Sequence, residues 1–128
     1  MAKKFLYRGK PVEEVKQLSL EDFIKLCDSH ERRTLKRMSM PVKKFLQKFR
    51  KAKRKNKIMK THYRQMVVVP EMIDARIQVY NGHKYVDVVI VPEMLGHRIG
   101  EYSHTTKLVK HSGPGVGATR GSKAVELK

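Results

Sequence analysis

The residues of this chain with chemical potential are above all its cations. Between Arg32 and Pro70 there are fifteen lysines and arginines and no carboxylate. A like-charged block of that length is built to meet an anion, because its self-repulsion opposes compaction unless counter-charge is supplied. Lys60-Thr61-His62-Tyr63-Arg64 places a hydroxyl, an imidazole, an aromatic face and two cations within five residues. Such a group can hold phosphates and stack on an unpaired base. From spacing alone an equal alternative stands, in which Tyr63 faces the core and His62 merely lies at the surface. Arg64 is the expected phosphate ligand of the group.

Catalytic constellations are poorly represented. Glu71 and Glu93 could be paired carboxylates or the metal ligands of a nuclease, but no other acid gathers around them, and each is expected to cap its own turn. His30, His62, His83, His97, His104 and His111 show no HExxH spacing, cysteine partner or serine elbow. The single cysteine, Cys27, can form neither an internal disulfide nor a thiolate zinc site, which fits a reducing compartment. Gly113 to Lys123 is rich in glycine but matches neither a Walker loop nor a dinucleotide fingerprint. No enzyme activity, metal or cofactor is expected.

The chain has 128 residues, 14.9 kDa, a net charge of +17 and a sequence pI near 10.2. That length suits one domain with tails. Residues 1–31 balance to zero, 71–101 come to −2 and 102–128 to +4, so the excess sits in the middle and at the end. A polyanion is the expected partner. RNA is preferred over DNA because no helix-turn-helix, zinc finger or basic zipper is present to enter a major groove. No apolar run approaches the roughly 20 residues that span a bilayer, and none resembles a signal-peptide core. The expectation is a cytosolic chain with no membrane partner and no small-molecule substrate.

The elements that must carry these cations read as follows. Ser19 ahead of Leu20, Glu21 and Asp22 predicts a helix start, with Leu20, Phe23, Ile24, Leu26 and Cys27 on its buried face. Ser29 is expected to cap a short helix through Arg37, with Leu35 and Met38 inward. Pro41 suits the first position of a third helix. There Val42, Phe45, Leu46, Phe49 and Ala52 share one stripe and Lys43, Lys44, Lys48, Arg50 and Lys51 the rest, half core and half phosphate grip. Past Ala52 charge falls on every face, so this helix should project or fray. Met66–Val69, Arg76–Tyr80 and Tyr85–Val91 read as strands, the last two joined through Asn81-Gly82, whose residues both tolerate the positive φ of a tight turn. Val67 to Met72 recurs as Val89 to Met94, each copy a strand stopped by proline. Leu95–Gly100 looks like a short helix ended by glycine. From Tyr102 onward the glycines exclude regular structure, leaving a flexible peptide whose Arg120 and Lys123 are available to phosphates.

A family resemblance sharpens this. Asn81-Gly82-His83, Ile90, Leu95-Gly96, Ile99-Gly100-Glu101-Tyr102 and Thr105, preceded by Lys60-Thr61-His62, Arg64 and Pro70-Glu71-Met72, resemble the universal small-subunit ribosomal protein nineteen family, numbered fifteen in eukaryotic naming. Phe5 to Gly9, Arg50 to Lys53, Val109-Lys110-His111 and Pro114 to Thr119 are similar to its archaeal and eukaryotic branch. Gln65 and Asp74-Ala75-Arg76 depart from the pattern, where relatives often carry an acid and a glycine-containing turn. The resemblance implies a constituent of the head of the small ribosomal subunit. Its partners would be the small-subunit ribosomal RNA, a neighbouring head protein, and transfer RNA in the decoding region. The ribosomal RNA contacts it implies are Lys60, Thr61, His62, Arg64, the hairpin tip Asn81, Gly82, His83 and Lys84, then His97, Arg98 and Thr105. Gly100 and Glu101 would fix a turn. The tail residues Gly113, Pro114, Gly115, Gly117, Thr119 and Arg120 would lie near transfer RNA.

Residues and resemblance together predict an α+β protein with a small three-stranded mixed sheet, a hairpin, N-terminal helices and an extended basic C-terminal tail. Residues 1–59 would form a helical basic extension, 60–108 the RNA-binding core and 109–128 the tail. Lys43, Lys44, Arg50, Lys51 and Arg54 of the basic helix complete the expected ribosomal RNA-binding set. The alternative is a basic DNA-compacting or regulatory protein acting away from ribosomes.

Overall fold

In the computed structural model, residues 5–37, 39–110, 113–115 and 117–120 are described; Met38, His111, Val116 and Lys123, for which the sequence raises expectations, lie outside them. The fold is α+β, as expected. A two-residue-strand hairpin, β1 (Leu6–Tyr7) and β2 (Lys10–Pro11), opens the chain. Helices α1 (Val12–Gln17), α2 (Leu20–Leu26), α3 (Ser29–Arg37) and α4 (Ser39–Arg54) follow, then β3 (Met59–Thr61), β4 (Arg76–Tyr80) and β5 (Tyr85–Val89). Strand β4 is central, parallel to β3 and antiparallel to β5.

The helix starts were largely legible. Ser19 Oγ accepts the Asp22 N–H at 3.2 Å, the expected cap of α2. In α3 the Arg32 N–H donates to the Asp28 carbonyl at 2.8 Å, so Asp28 rather than Ser29 holds the cap position. Pro41 is the third residue of α4 instead of the first, still within the turn whose N–H groups have no intrahelical acceptor. On α4, Val42, Phe45, Leu46 and Phe49 are buried, worth about 1.5–3 kcal/mol each in apolar transfer. The helix does not project or fray. The Asn56 N–H donates to the Lys53 carbonyl and the Lys57 N–H to the Ala52 carbonyl, both near 3.0 Å, while Asn56 takes φ 49. That is a Schellman closure with asparagine in the left-handed position, and it turns the chain back into β3.

The sheet differs from expectation in its third member. Met66–Val69 is buried and extended, but it is not one of the strands. Its bonds go to one short segment, with Val68 N–H donating to the His97 carbonyl at 2.8 Å and Ile99 N–H to the Met66 carbonyl at 2.9 Å. The third strand is Met59–Thr61, whose three residues were too few to show a period. The β4–β5 connection is also shifted. Asn81 N–H donates to the Lys84 carbonyl at 3.0 Å, and only Gly82 has positive φ, 98°, so the turn centres on Gly82-His83 and not on Asn81-Gly82. Both central residues have positive φ instead in the first hairpin, Arg8 at 52° and Gly9 at 80°.

The repeated Val-Pro-Glu-Met segments do fold alike: Pro70–Met72 and Pro92–Met94 are both 3-10 turns with proline at their start and matching flanking dihedrals. Neither glutamate makes the expected side-chain cap. Leu95–Gly100 is not a helix. Gly96 reverses the chain at φ 79, and a further 3-10 turn, Ile99–Tyr102, begins at the segment's end. Phe23, Val15, the α4 stripe, Met66–Val69, Ile77, Val79, Ile90 and Ile99 form one buried cluster. The helices thus cover one face of the sheet, and the opposite face stays open to solvent.

Candidate nucleic-acid interface

The interface is defined by which cations the protein uses for itself. Asp28 pairs with Arg8, Asp74 with Lys16 at 2.8 Å, Asp22 with Lys25 at 2.8 Å, Asp87 with Arg76 at 2.6 Å and Glu31 with Arg98 at 3.2 Å. Arg50 reaches across from α4 to grip Glu71 through Nε at 2.9 Å and Nη2 at 2.5 Å. The Arg50 guanidinium holds the Glu71 carboxyl below the usual carboxylate range, against the opposing effect of partial burial. Arg76, helped by Gln78, does the same to Asp87. Among the described residues, Lys43, Lys44, Lys48, Lys51, Arg54, Lys60 and Lys84 have no carboxylate within ion-pair distance. Five of these seven lie on the exposed side of α4, whose buried stripe aims them outward.

Several residues expected to touch RNA serve the fold. Arg64 is half-buried, and its guanidinium donates to the carbonyls of Tyr80 at 2.8 Å, Gly100 at 2.7 Å and Ser103 at 2.6 Å. The expected phosphate ligand is therefore a staple joining the end of β4 to the last 3-10 turn. Thr61 is buried and its Oγ1 accepts the Tyr63 N–H at 3.0 Å. The Asn81 carboxamide accepts from the His83 and Lys84 N–H groups and donates to the His104 carbonyl at 3.3 Å. The Arg98 side chain packs against α3, its guanidinium within 3.1–3.4 Å of the His30, Glu31 and Thr34 side chains. Its N–H, in turn, donates to Glu101 at 3.1 Å, so Glu101 fixes this turn.

Of the other expected residues, Lys60, His62, Gly82, His83 and Lys84 gather on the open sheet face and its hairpin tip. Lys60 and His62 flank buried Thr61 and so point outward from β3. His62 Nε2 is 2.7 Å from the Tyr85 hydroxyl, and its ring lies 4.4 Å from that of Tyr80. Tyr80 and Tyr85 face each other across β4 and β5 with centroids 5.3 Å apart. Lys60 Nζ stands 5.4 Å over the Tyr85 ring. Gly82, His83 and Lys84 are exposed beside this group, and a Cβ at Gly82 would meet nothing within 4 Å. Tyr63 takes the core-facing alternative, half-buried with its ring 6.1 Å from Phe45. Sequence reasoning missed Tyr80 and Tyr85 as site residues. The signal was their symmetric placement around the turn, visible once the turn is centred on Gly82-His83.

His97 is exposed and 3.1 Å from Glu101, and Thr105 is exposed at the start of the tail. Gly113, Pro114, Gly115, Gly117, Thr119 and Arg120 are all exposed. Among the described residues no group of three or more histidines, cysteines, aspartates and glutamates is placed to hold a metal. A sequence model of the family described as Ribosomal protein S19 matches residues 33–111, which run from α3 through the start of the tail.

Proposed function

The chain belongs to the ribosomal protein S19 family, a family of structural small-subunit constituents, and from that premise we propose that it scaffolds small-subunit ribosomal RNA. The compact core positions two cationic surfaces, the outer side of α4 and the hairpin tip with Lys60. Both neutralise phosphates that would otherwise repel as RNA segments converge. The observation that carries the reading is the sorting of charge: carboxylates engage Arg8, Lys10, Lys16, Lys25, Arg50, Arg76 and Arg98 internally, and the lysines of α4 are left for an outside anion. A nuclease based on Glu71 and Glu93 is disfavoured by the same geometry, since Arg50 occupies both oxygens of Glu71.

The finer reading puts the protein in the subunit head beside a neighbouring head protein, in the cytoplasm, with the tail from Gly113 to Arg120 extended toward transfer RNA in the decoding region. The tail motifs favour the archaeal and eukaryotic branch. Competition binding tests the reading: structured small-subunit ribosomal RNA should displace duplex DNA from the full chain at equal nucleotide concentration. Equal or better binding to DNA would instead favour a DNA-compacting role.

A further inference from the structure

The solvent face of the sheet carries a feature that phosphate neutralisation does not require. Alternate residues of the three strands place Lys60 and His62 of the β3 segment, Gln78 and Tyr80 of β4, and Tyr85 and Asp87 of β5 on one side. Three of them are aromatic and mutually in contact, with centroid separations of 4.4, 5.4 and 5.3 Å. Tyr85 is 38 % exposed and His62 is exposed, so the group is not a buried packing element. It is nonetheless held in place. His62 is bonded to the Tyr85 hydroxyl, and the Tyr80 hydroxyl donates to the Gly82 carbonyl at 3.0 Å.

The geometry points to a stacking platform for one unpaired RNA base on the His62–Tyr80–Tyr85 face, with Lys60 and the hairpin-tip Lys84 meeting the flanking phosphates. The rings are tilted to one another by 41°, 81° and 58°, so a base stacks on the face of one ring while the others border its edge. One π face accepts a base of any identity, and a sheet that displays aromatics outward is an established way to read unstacked nucleotides. The charge is complementary. Lys60 and Lys84 have no carboxylate partner among the described residues, and the one acid on this face, Asp87, is neutralised by Arg76. Gly82 adds a place where backbone can approach a phosphate without a side chain in the way. The inference rests on the RNA-binding reading and specifies which RNA feature the sheet takes: a bulged or loop nucleotide and not a flush helix.

The test uses the full chain and two RNA hairpins, one with a single bulged 2-aminopurine and one fully paired. The wild type should bind the bulged hairpin more tightly and quench its fluorescence. Tyr85→Leu should lose roughly 5- to 150-fold on the bulged hairpin, the range expected for one base stacked on an aromatic side chain, with little change on the paired one. Tyr85→Phe keeps the ring and should stay close to wild type in affinity and quenching. His62→Leu provides an independent loss variant, and circular dichroism reports folding of each. Equal wild-type affinity for the two hairpins, or unchanged bulge binding in folded Tyr85→Leu and His62→Leu, overturns the platform while leaving RNA scaffolding intact. Failure of the wild type to bind either hairpin overturns both.

Discussion

Arg64 and Gly100 are joined in both directions: the Arg64 guanidinium donates to the Gly100 carbonyl at 2.7 Å, and the Gly100 N–H donates to the Arg64 carbonyl at 2.9 Å. The approach leaves no room for a side chain, since a Cβ on Gly100 would stand 2.9 Å from both the Cβ and the carbonyl oxygen of Arg64. Gly100→Ala must push this backbone pair apart. It should destabilise the chain by about 1–3 kcal/mol in urea unfolding, with no change in the salt dependence of RNA binding.

Arg64→Gln separates a structural role from a phosphate contact. It strips the donors from the carbonyls of Tyr80, Gly100 and Ser103, so a stability loss of roughly 1–3 kcal/mol is expected from unsatisfied acceptors. The slope of log affinity against log salt should stay at the wild-type value. A slope reduced by about one, with stability unchanged, would return Arg64 to the phosphate ligands.

The α4 lysines should behave in the opposite way. Replacing Lys43, Lys44, Lys48 and Lys51 by Gln leaves the buried stripe untouched, so thermal stability should hold. Every phosphate that is no longer neutralised should lower the salt slope by about 0.7–0.9. Isothermal titration over a salt series reads the slope, and thermal unfolding reads the stability.

The Arg50–Glu71 pair predicts a pH effect of definite sign. Arg50 depresses the Glu71 carboxyl below its ordinary value of 4.5 in the folded chain. The pair's contribution is therefore present above that pH and lost as pH falls through the lower folded value. Both side chains are well exposed, at 53 % and 41 %, so the contribution is only about 0.2–1 kcal/mol. Arg50→Gln should be less stable than wild type by that amount at neutral pH, and the two denaturation curves should converge in acid.

Deleting residues 112–128 should leave incorporation into small subunits largely intact while perturbing transfer RNA binding, measured by subunit sedimentation and filter binding. A truncated chain absent from subunits would make the tail an assembly element.

What the sequence showed and what it hid have physical causes. The α4 amphipathic stripe and the Ser19 cap were legible because a helical period and a capping oxygen are local properties. The β3 strand was not, because the three residues Met59–Thr61, following a basic helix, carry no period of their own. Nor was the first hairpin, whose turn puts Arg8 in a left-handed conformation that arginine seldom signals. At the site, charge in sequence identified a basic helix but not which cations are consumed internally. Arg64, Arg98 and Arg50 look like free cations until distant acceptors, the Gly100 and Ser103 carbonyls, Glu31 and Glu71, are brought to them. Asp74, in a stretch where the resemblance implies a glycine-containing turn, takes φ 65, a left-handed conformation that its short side chain tolerates.

The most direct test of RNA scaffolding is sedimentation of the tagged full chain with small ribosomal subunits, followed by crosslinking to RNA. Near-stoichiometric recovery in the small-subunit fraction is predicted, with crosslinks from the α4 lysines, Lys60 and Lys84 to ribosomal RNA. Recovery outside that fraction, with crosslinks to DNA or to no nucleic acid, would contradict it.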